Sequence, residues 1–567
     1  LPTGGQGAAS AKPQKSFASF LPKRRIFFLE RKKQRTFAIF AVSSAAKFQA
    51  ALASLHAGRM AEAERLLRAI VRQSPEHAEA LHCLGIALHG QGQSAQALGF
   101  YDRSLRLQPA NSRAENNRAL ALTALRRPAD ALASLDRALA LQPNDAELHY
   151  NYGNALMALQ RNDEALEAFR RATSLNPGLH QAWQNMGIVL TRLGHLAEAL
   201  AVYDSLLRQP KGAKLPELRA NRAGTLDALN RRQDALADCD AALAEDPTLA
   251  LAHFNASVVC LGLGDYARGW REWEWRWQAP EFWPHRPNWR QPTWLGNADL
   301  RGKRILLDAE QGLGDTVQFC RYAPMVKALG AEVWLRAPDP LAPLLRTLGG
   351  VDRIVPYDER PTDFDFQTPL MSLPLAFGTT LETVPAATPY LAAAPERIAK
   401  WRDILGPATG LRVGIAWSGN ARLKADGQRS APLADLAPLL VSGVEFLSVQ
   451  KDLRPSDAGS VEPLGIRHFG DRLNDFADAA ALTALLDLVI SVDTAPAHVA
   501  GALGKPIWLL LHEVAEWRWL MARDDSPWYP TARLFRQRRA GDWPELASRA
   551  ASELARFQQQ TAPSSAG

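Results

Sequence analysis

Residues 146–177 read AELHYNYGNALMALQRNDEALEAFRRATSLNP, and the frame of this stretch recurs along the first half of the chain. Pro75, Pro109, Pro143 and Pro177 are spaced by 34 residues, as are Ala63, Ala97, Ala131, Ala165 and Ala199. A small residue (Gly85, Ala119, Gly153, Gly187) falls where a first helix must approach a second one closely. A larger side chain (Tyr101, Leu135, Phe169, Tyr203) follows in that second helix, and proline closes the unit. A fixed period of this length means stacked supersecondary units, each burying its apolar face against the next.

These matched positions resemble the tetratricopeptide repeat, a helix-turn-helix module of the same period. The pattern predicts about seven units over residues 44–269. An insertion of two residues in RQPKGAKLPEL separates the fifth from the sixth. One recurring position is not required by packing: Asn117, Asn151, Asn185, Asn221 and Asn255 share a slot of the first helix. Asparagine is a mediocre helix former, so propensity does not select it there. First helices line the concave face of such a solenoid, where an asparagine ladder offers donors and acceptors to the backbone of an extended peptide. Hydrogen bonding between neighbouring repeats is the alternative use of the same amides.

At 567 residues the chain is long enough for several domains. Its net charge of +7 is segregated: residues 1–40 carry +8 and the remainder sums to −1. A neutral body argues against a nucleic-acid partner. Residues 1–43 read as a basic, disordered tail with no apolar run of membrane-spanning length. Cys83, Cys239, Cys260 and Cys320 lack metal-ligand or disulfide spacing and read as buried hydrophobes of a reducing, cytoplasmic compartment.

Residues 270–299 are rich in tryptophan and proline. Trp270, Trp273, Trp275, Trp277, Trp283, Trp289 and Trp294 lie among Pro280, Pro284, Pro287 and Pro292. Such a cluster either stacks bases or sugars or wedges the solenoid against the next domain. The neutral charge and boundary position favour the wedge.

From Leu300 onward short apolar strands alternate with helices, the signature of parallel sheets covered on both faces. RILLDA, AEVWLRA, RIVPY and FDFQTPLMSL form a first Rossmann-like lobe over 300–395. LRVGIAWSG, GVEFLSVQ, LVISVD, PIWLLL and ARLFRQ form a second over 396–567. Open α/β sheets bind ligands at the carboxyl ends of their strands. In DAEQGLGDTVQ the glycines Gly312 and Gly314 turn the chain into a helix that opens at Asp315, with neither a dinucleotide fingerprint nor a P-loop. In the second lobe, Asp493 and Thr494 end a buried strand. Thr494 is placed to cap a small-residue helix whose free amides suit an anion, with His498 near its first turn.

The stretch DTAPAHVAGA, Asp493 to Ala502, resembles the Asp-Thr/Ser-x-x-x-His-x-Ala-x-Ala motif of heptosyltransferase-like glycosyltransferases of the GT-B fold. Ala495 stands where that family usually has glycine, and Gly314–Asp315 is similar to its first-lobe Gly-Asp turn. The resemblance covers about 265 residues, and repeats preceding such a module look like bacterial tetratricopeptide-repeat glycosyltransferases. The Asn ladder is similar to that of O-linked N-acetylglucosamine transferase, whose catalytic lobes this chain does not closely resemble. The resemblance implies metal-independent sugar transfer from a nucleotide-sugar, needing no cofactor, to an acceptor hydroxyl. Asp315 would be the base. Asp493, Thr494 and His498 would hold the donor, with Lys424 or Arg429 on its phosphates and Gln450 at a neighbouring strand end. The array would recruit a protein or peptide acceptor through Asn117, Asn151, Asn185, Asn221 and Asn255. Asp363 and Asp365 of DFDF read as structural rather than as metal ligands. The other reading is a non-catalytic repeat scaffold with a degenerate transferase module.

Overall fold

A computed structural model describes residues 45–208, 215–279, 286, 288–420 and 426–561. The basic tail 1–43, Pro280, Trp283, Pro284, Pro287 and Lys424 lie outside the described residues. The chain forms two compact units, one ending at Val202 and the other beginning at Tyr203.

Among the described residues, the first unit holds helices and no strand. Residues 45–56 pair with Met60–Gln73, Ala78–His89 with Ser94–Leu107, Ser112–Ala124 with Pro128–Leu141, and Ala146–Ala158 with Asn162–Leu175. His180–Arg192 follows, and the helix Leu196–Leu207 spans the boundary between the two units. The repeat frame follows from van der Waals contact. A Cβ on Gly85 would stand 2.4 Å from the Tyr101 ring, and one on Gly153 would stand 2.6 Å from Phe169. The corner of each pair has its own rule. Gly58, Gly92, Arg126, Gln160, Gly194, Asn230 and Gly264 all adopt positive φ at equivalent positions. Glycine holds that conformation without strain, whereas the other three carry a Cβ into it.

The second unit opens with two more helix pairs, Leu215–Ala228 with Arg232–Glu245 and Ala250–Leu263 with Tyr266–Trp273. Two parallel sheets follow. In the first, β1 (Arg304–Asp308), β2 (Glu332–Ala337), β3 (Arg353–Pro356) and β4 (Phe366–Pro369) lie in the order β3-β2-β1-β4. In the second, β5 (Leu411–Ala416), β6 (Val444–Ser448), β7 (Ile466–Arg467), β8 (Leu488–Val492), β9 (Ile507–Leu511) and β10 (Ala532–Arg536) lie in the order β10-β9-β8-β5-β6-β7. Every strand candidate read from the sequence is a strand, and the two-residue β7 is additional.

Both faces of the second sheet are covered, which explains its unbroken apolar strands. Leu546, Ala550 and Leu554 of the C-terminal helix pack with Val413, Ile415, Leu488 and Ile490. On the other face Ala480, Leu482, Val499 and Ala500 share a core with Val489 and Leu509. That core continues into the last repeat through Leu261, Tyr266, Trp270 and Trp273.

The aromatic segment is a wedge where the structure describes it. Trp270 is 1% exposed, with its ring 5.3 Å from Trp517 and 6.2 Å from Phe319, both edge-on. Trp275 stacks on His253 at 3.8 Å, and Trp289 donates to Asp308 Oδ2 at 3.0 Å. Arg276 is fully buried on the far side, donating to Ser372 Oγ (2.8 Å), Glu274 Oε1 (2.7 Å) and Glu310 Oε1 (3.3 Å). Burial raises the Glu310 carboxyl to about 7, against the pull of Arg276. The four cysteines are buried and free. Asp363 pairs with Arg304 and Asp365 accepts from the Arg304 amide, so both brace the start of the first sheet. No helix among the described residues is long and apolar enough to cross a membrane.

Candidate functional site

A cleft of about 1110 Å³ opens in the second unit. Its walls include segments that follow strands at their carboxyl ends: Gln311–Asp315 after β1, Ser418–Asn420 after β5, Val449–Pro455 after β6, Asp493–Pro496 after β8 and Glu516–Arg518 after β9. This is where open parallel sheets place ligands, because loops there can vary without disturbing the strands. Asp315, Arg429, Gln450, Asp493, Thr494 and His498 all line it, and Trp273 of the last repeat contributes to the wall.

The two polar clusters read from the sequence are in direct contact at the end of this cleft. A Cβ on Gly314 would stand 2.8 Å from His498 Cδ2 and 3.5 Å from Ala495 Cα, so glycine alone permits the approach. Asp315 has two partners. Its Oδ2 accepts from the Gly312 amide at 2.9 Å, closing the first turn of the helix Leu313–Phe319, and its Oδ1 receives Arg518 Nη2 at 2.7 Å.

Arg518 is the centre of the group. Its Nε lies 2.8 Å from Glu516 Oε2, and its Nη1 lies 3.5 Å from His498 Nε2. A guanidinium can only donate, so His498 Nε2 carries the lone pair. Its Nδ1 proton then goes to Tyr529 Oη, 2.9 Å away. Burial first, then the cations Arg518, Arg321 and Arg429, push His498 well below the ordinary histidine range. The ring is a neutral donor-acceptor, 2% exposed, and stacks on Trp519 at 5.8 Å. Burial also works against the charge of Arg518, but Glu516, Asp315 and Asp493 more than offset it and keep it a cation. Burial pushes the Glu516 carboxyl up to about 7, Arg518 pulling the other way.

One expectation is corrected in detail. Thr494 occupies the cap position of the helix Ala495–Ala502, but its side chain caps nothing. The hydroxyl donates to Val492 O at 3.3 Å and lies 3.2 Å from Ser491 Oγ, because the strand end captures it first. Gln450 faces the cleft with its amide already engaged. Its Oε1 accepts from the amides of Trp417 (3.0 Å) and Ser418 (3.3 Å), and its Nε2 donates to Ser418 Oγ (3.2 Å) and Asp452 O (3.2 Å). It fixes the turn after β5. Arg429 lies 3.5 Å from Asp426 Oδ1, a carboxylate it shares with Arg454.

Arg518 and Glu516 were not foreseen. The signal available was their place in EWRW, just after the buried strand PIWLLL, where charged residues between tryptophans do not serve a core.

The asparagine ladder is spent in part on the solenoid itself. Asn117 Nδ2 lies 2.8 Å from His82 Nε2. Asn151 donates to Asn116 Oδ1 at 2.8 Å, Asn185 to Asn154 Oδ1 at 2.7 Å, and Asn255 to Ala220 O at 2.8 Å. Each bond reaches the preceding repeat, and all five asparagines, Asn221 included, are half-buried.

The tetratricopeptide-repeat family matches residues 42–112, 116–180 and 158–214. The N-terminal helical array is therefore built of tetratricopeptide repeats. Protein FlbA of Caulobacter vibrioides is 33% identical over 401 residues, 64% of this chain and 65% of FlbA, so the chain spans under two thirds of that relative's length. Among solved structures, YrrB, described as a TPR protein with an unusual peptide-binding site, is 24% identical. That likeness covers 33% of this chain and 95% of YrrB with a TM-score of 0.29. A tetratricopeptide repeat protein from Parabacteroides merdae is 21% identical over 41% of this chain and 91% of its own, with a TM-score of 0.36.

Proposed function

We propose that the chain is a cytoplasmic glycosyltransferase of GT-B type. It would transfer a sugar from a nucleotide-sugar to an acceptor hydroxyl, and its repeat array would recruit the protein or peptide that bears the acceptor. The observation that carries the reading is the cleft: every wall segment between Gln311 and Arg518 named above follows a parallel strand, the carboxylate Asp315 pairs with the cation Arg518 there, and Arg429 lines the same cleft. A diphosphate leaving group needs fixed cations and amide dipoles where its negative charge develops. Arg429 and the amides at Ala495 supply them on the second sheet, and Asp315 accepts the acceptor proton from the first. Solenoid surfaces of this kind serve protein partners, and the ladder Asn117 to Asn255 retains amide valences beyond the bonds to neighbouring repeats.

One observation favours the scaffold reading: both oxygens of Asp315 already have partners, Gly312 and Arg518. A panel of nucleoside diphosphates in a thermal-shift screen, followed by hydrolysis assays on the matching nucleotide-sugars, separates the two. Binding with turnover supports the transferase. Binding without turnover leaves the scaffold, and no binding removes the nucleotide-sugar reading altogether.

A further inference from the structure

Among the described residues, Arg518 with Asp315 is the one ion pair that joins the first sheet region to the second. Three facts make it more than a surface contact. The side chain of Arg518 is 10% exposed and that of Asp315 is 21% exposed, so solvent screens the pair little. The guanidinium has three neighbours: Nη2 donates to Asp315, Nη1 lies 3.5 Å from His498 Nε2, and Nε lies 2.8 Å from the Glu516 carboxylate as an ion pair without hydrogen-bond alignment. The loop that carries Arg518 is held from behind by the repeats, since Arg232 Nη2 donates to Ala515 O at 2.9 Å and Trp517 packs against Trp270.

We infer that Arg518 is the positioning residue of the site: its rigid fork fixes the carboxylate of Asp315 at the cleft end and so sets the geometry of proton removal. The inference rests on the glycosyl-transfer reading of the cleft. A planar fork fits this task better than an ammonium, because it holds several acceptors at fixed angles while a lysine reaches one at a time. The Gly312 bond alone fixes one oxygen of Asp315 and leaves the carboxylate free to pivot. The Arg518 bond removes that freedom. A displacement of about 1 Å at a reacting group costs on the order of a hundredfold in rate.

The test uses the full chain with Arg518→Gln, Arg518→Lys, Asp315→Asn and the Gln/Asn double variant, on a nucleotide-sugar that the wild type turns over. In the Gln variant kcat should fall by about tenfold or more while donor KM stays within about threefold. Lysine should restore the melting temperature without restoring kcat. In the Asp315→Asn background the Gln change should alter kcat by less than about threefold, because the group it positions is gone. A tenfold rise in KM at unchanged kcat would make Arg518 a donor ligand and overturn the inference. Equal losses in both backgrounds, or wild-type kcat in the lysine variant, would overturn it as well. If the wild type turns over no sugar of the panel, the transferase reading fails on its own. Hydrogen exchange across residues 312–319 then decides the positioning role. About tenfold faster exchange in the Gln and Lys variants supports it, and unchanged protection overturns it.

Discussion

Asp315 Oδ1 and Arg518 Nη2 stand 2.7 Å apart, which ties the helix opening after β1 to the loop following β9. Asp315→Asn separates the two duties of this carboxylate. The amide oxygen of asparagine can still accept from the Gly312 amide, so that bond survives. The charge on the Arg518 side is lost, and a hydrogen bond to a charged group is worth about 1.5–3 kcal/mol. The melting temperature should drop modestly. Sugar transfer should fall by about 10²–10⁴-fold if Asp315 is the base. Near wild-type turnover in the Asn variant would leave Asp315 as a turn-holding residue alone.

His498 sets a pH dependence of stability. Its folded-state affinity for protons is depressed by burial and by Arg518, Arg321 and Arg429, while the unfolded chain titrates near about 6.5. The unfolded state therefore binds more protons as pH falls below that value, and stability is lost in that direction. Between pH 7.5 and 5.5 the wild type should lose more of its melting temperature than His498→Gln does. Parallel losses in the two proteins would show that His498 takes no part.

Gly314→Ala tests the contact between the two polar clusters. The new methyl would lie 2.8 Å from His498 Cδ2, and that ring is pinned by Tyr529 and Trp519. Overpacking of this kind costs about 1–3 kcal/mol. Unfolding in denaturant should shift accordingly, and an unchanged midpoint would mean that the helix and His498 separate freely.

Gln160→Gly should stabilise the chain. Gln160 is exposed, has φ of +61°, and fills a corner where Gly58, Gly92, Gly194 and Gly264 stand in other repeats. Releasing a left-handed residue gains about 1–2 kcal/mol, against an entropy cost for glycine of about 0.5–1 kcal/mol. The expected net gain is a small rise in melting temperature. A fall would show that the side chain stabilises the corner.

Changing Asn151, Asn185 and Asn221 to alanine carries a stability cost. Asn151 and Asn185 each lose a bond to the preceding repeat, about 0.5–1.5 kcal/mol apiece. Alanine returns part of this through helix propensity. Nucleoside-diphosphate binding should be unaffected, while capture of a protein acceptor should fall. Intact capture would confine the ladder to holding repeats together.

The repeats were legible because each packing constraint recurs at a fixed interval, and Gly85 against Tyr101 is the same contact as Gly153 against Phe169. Strands buried on both faces were legible as unbroken apolar runs. β7 was not, since Ile466–Arg467 is too short to leave a pattern. Asp315 and His498 could be read as strand-end residues, but the approach of Gly314 to His498 depends on how two sheets meet, which no local pattern encodes. Thr494 misled because helix capping and the bond to Val492 O compete for one hydroxyl, and sequence spacing does not rank them. The left-handed corners were hidden where Arg126 and Gln160 replace glycine.

Trp270 and Arg276 bear on how such a chain could be recombined. The last repeat shares a core with both sheets, and Arg232 of the repeat before it reaches the loop that carries Arg518. A splice made at the end of the repeats would cut through that core. Hybrids that exchange repeat arrays between related chains should therefore keep their fold only when the final two repeats travel with the sheets, leaving the earlier repeats as the interchangeable part.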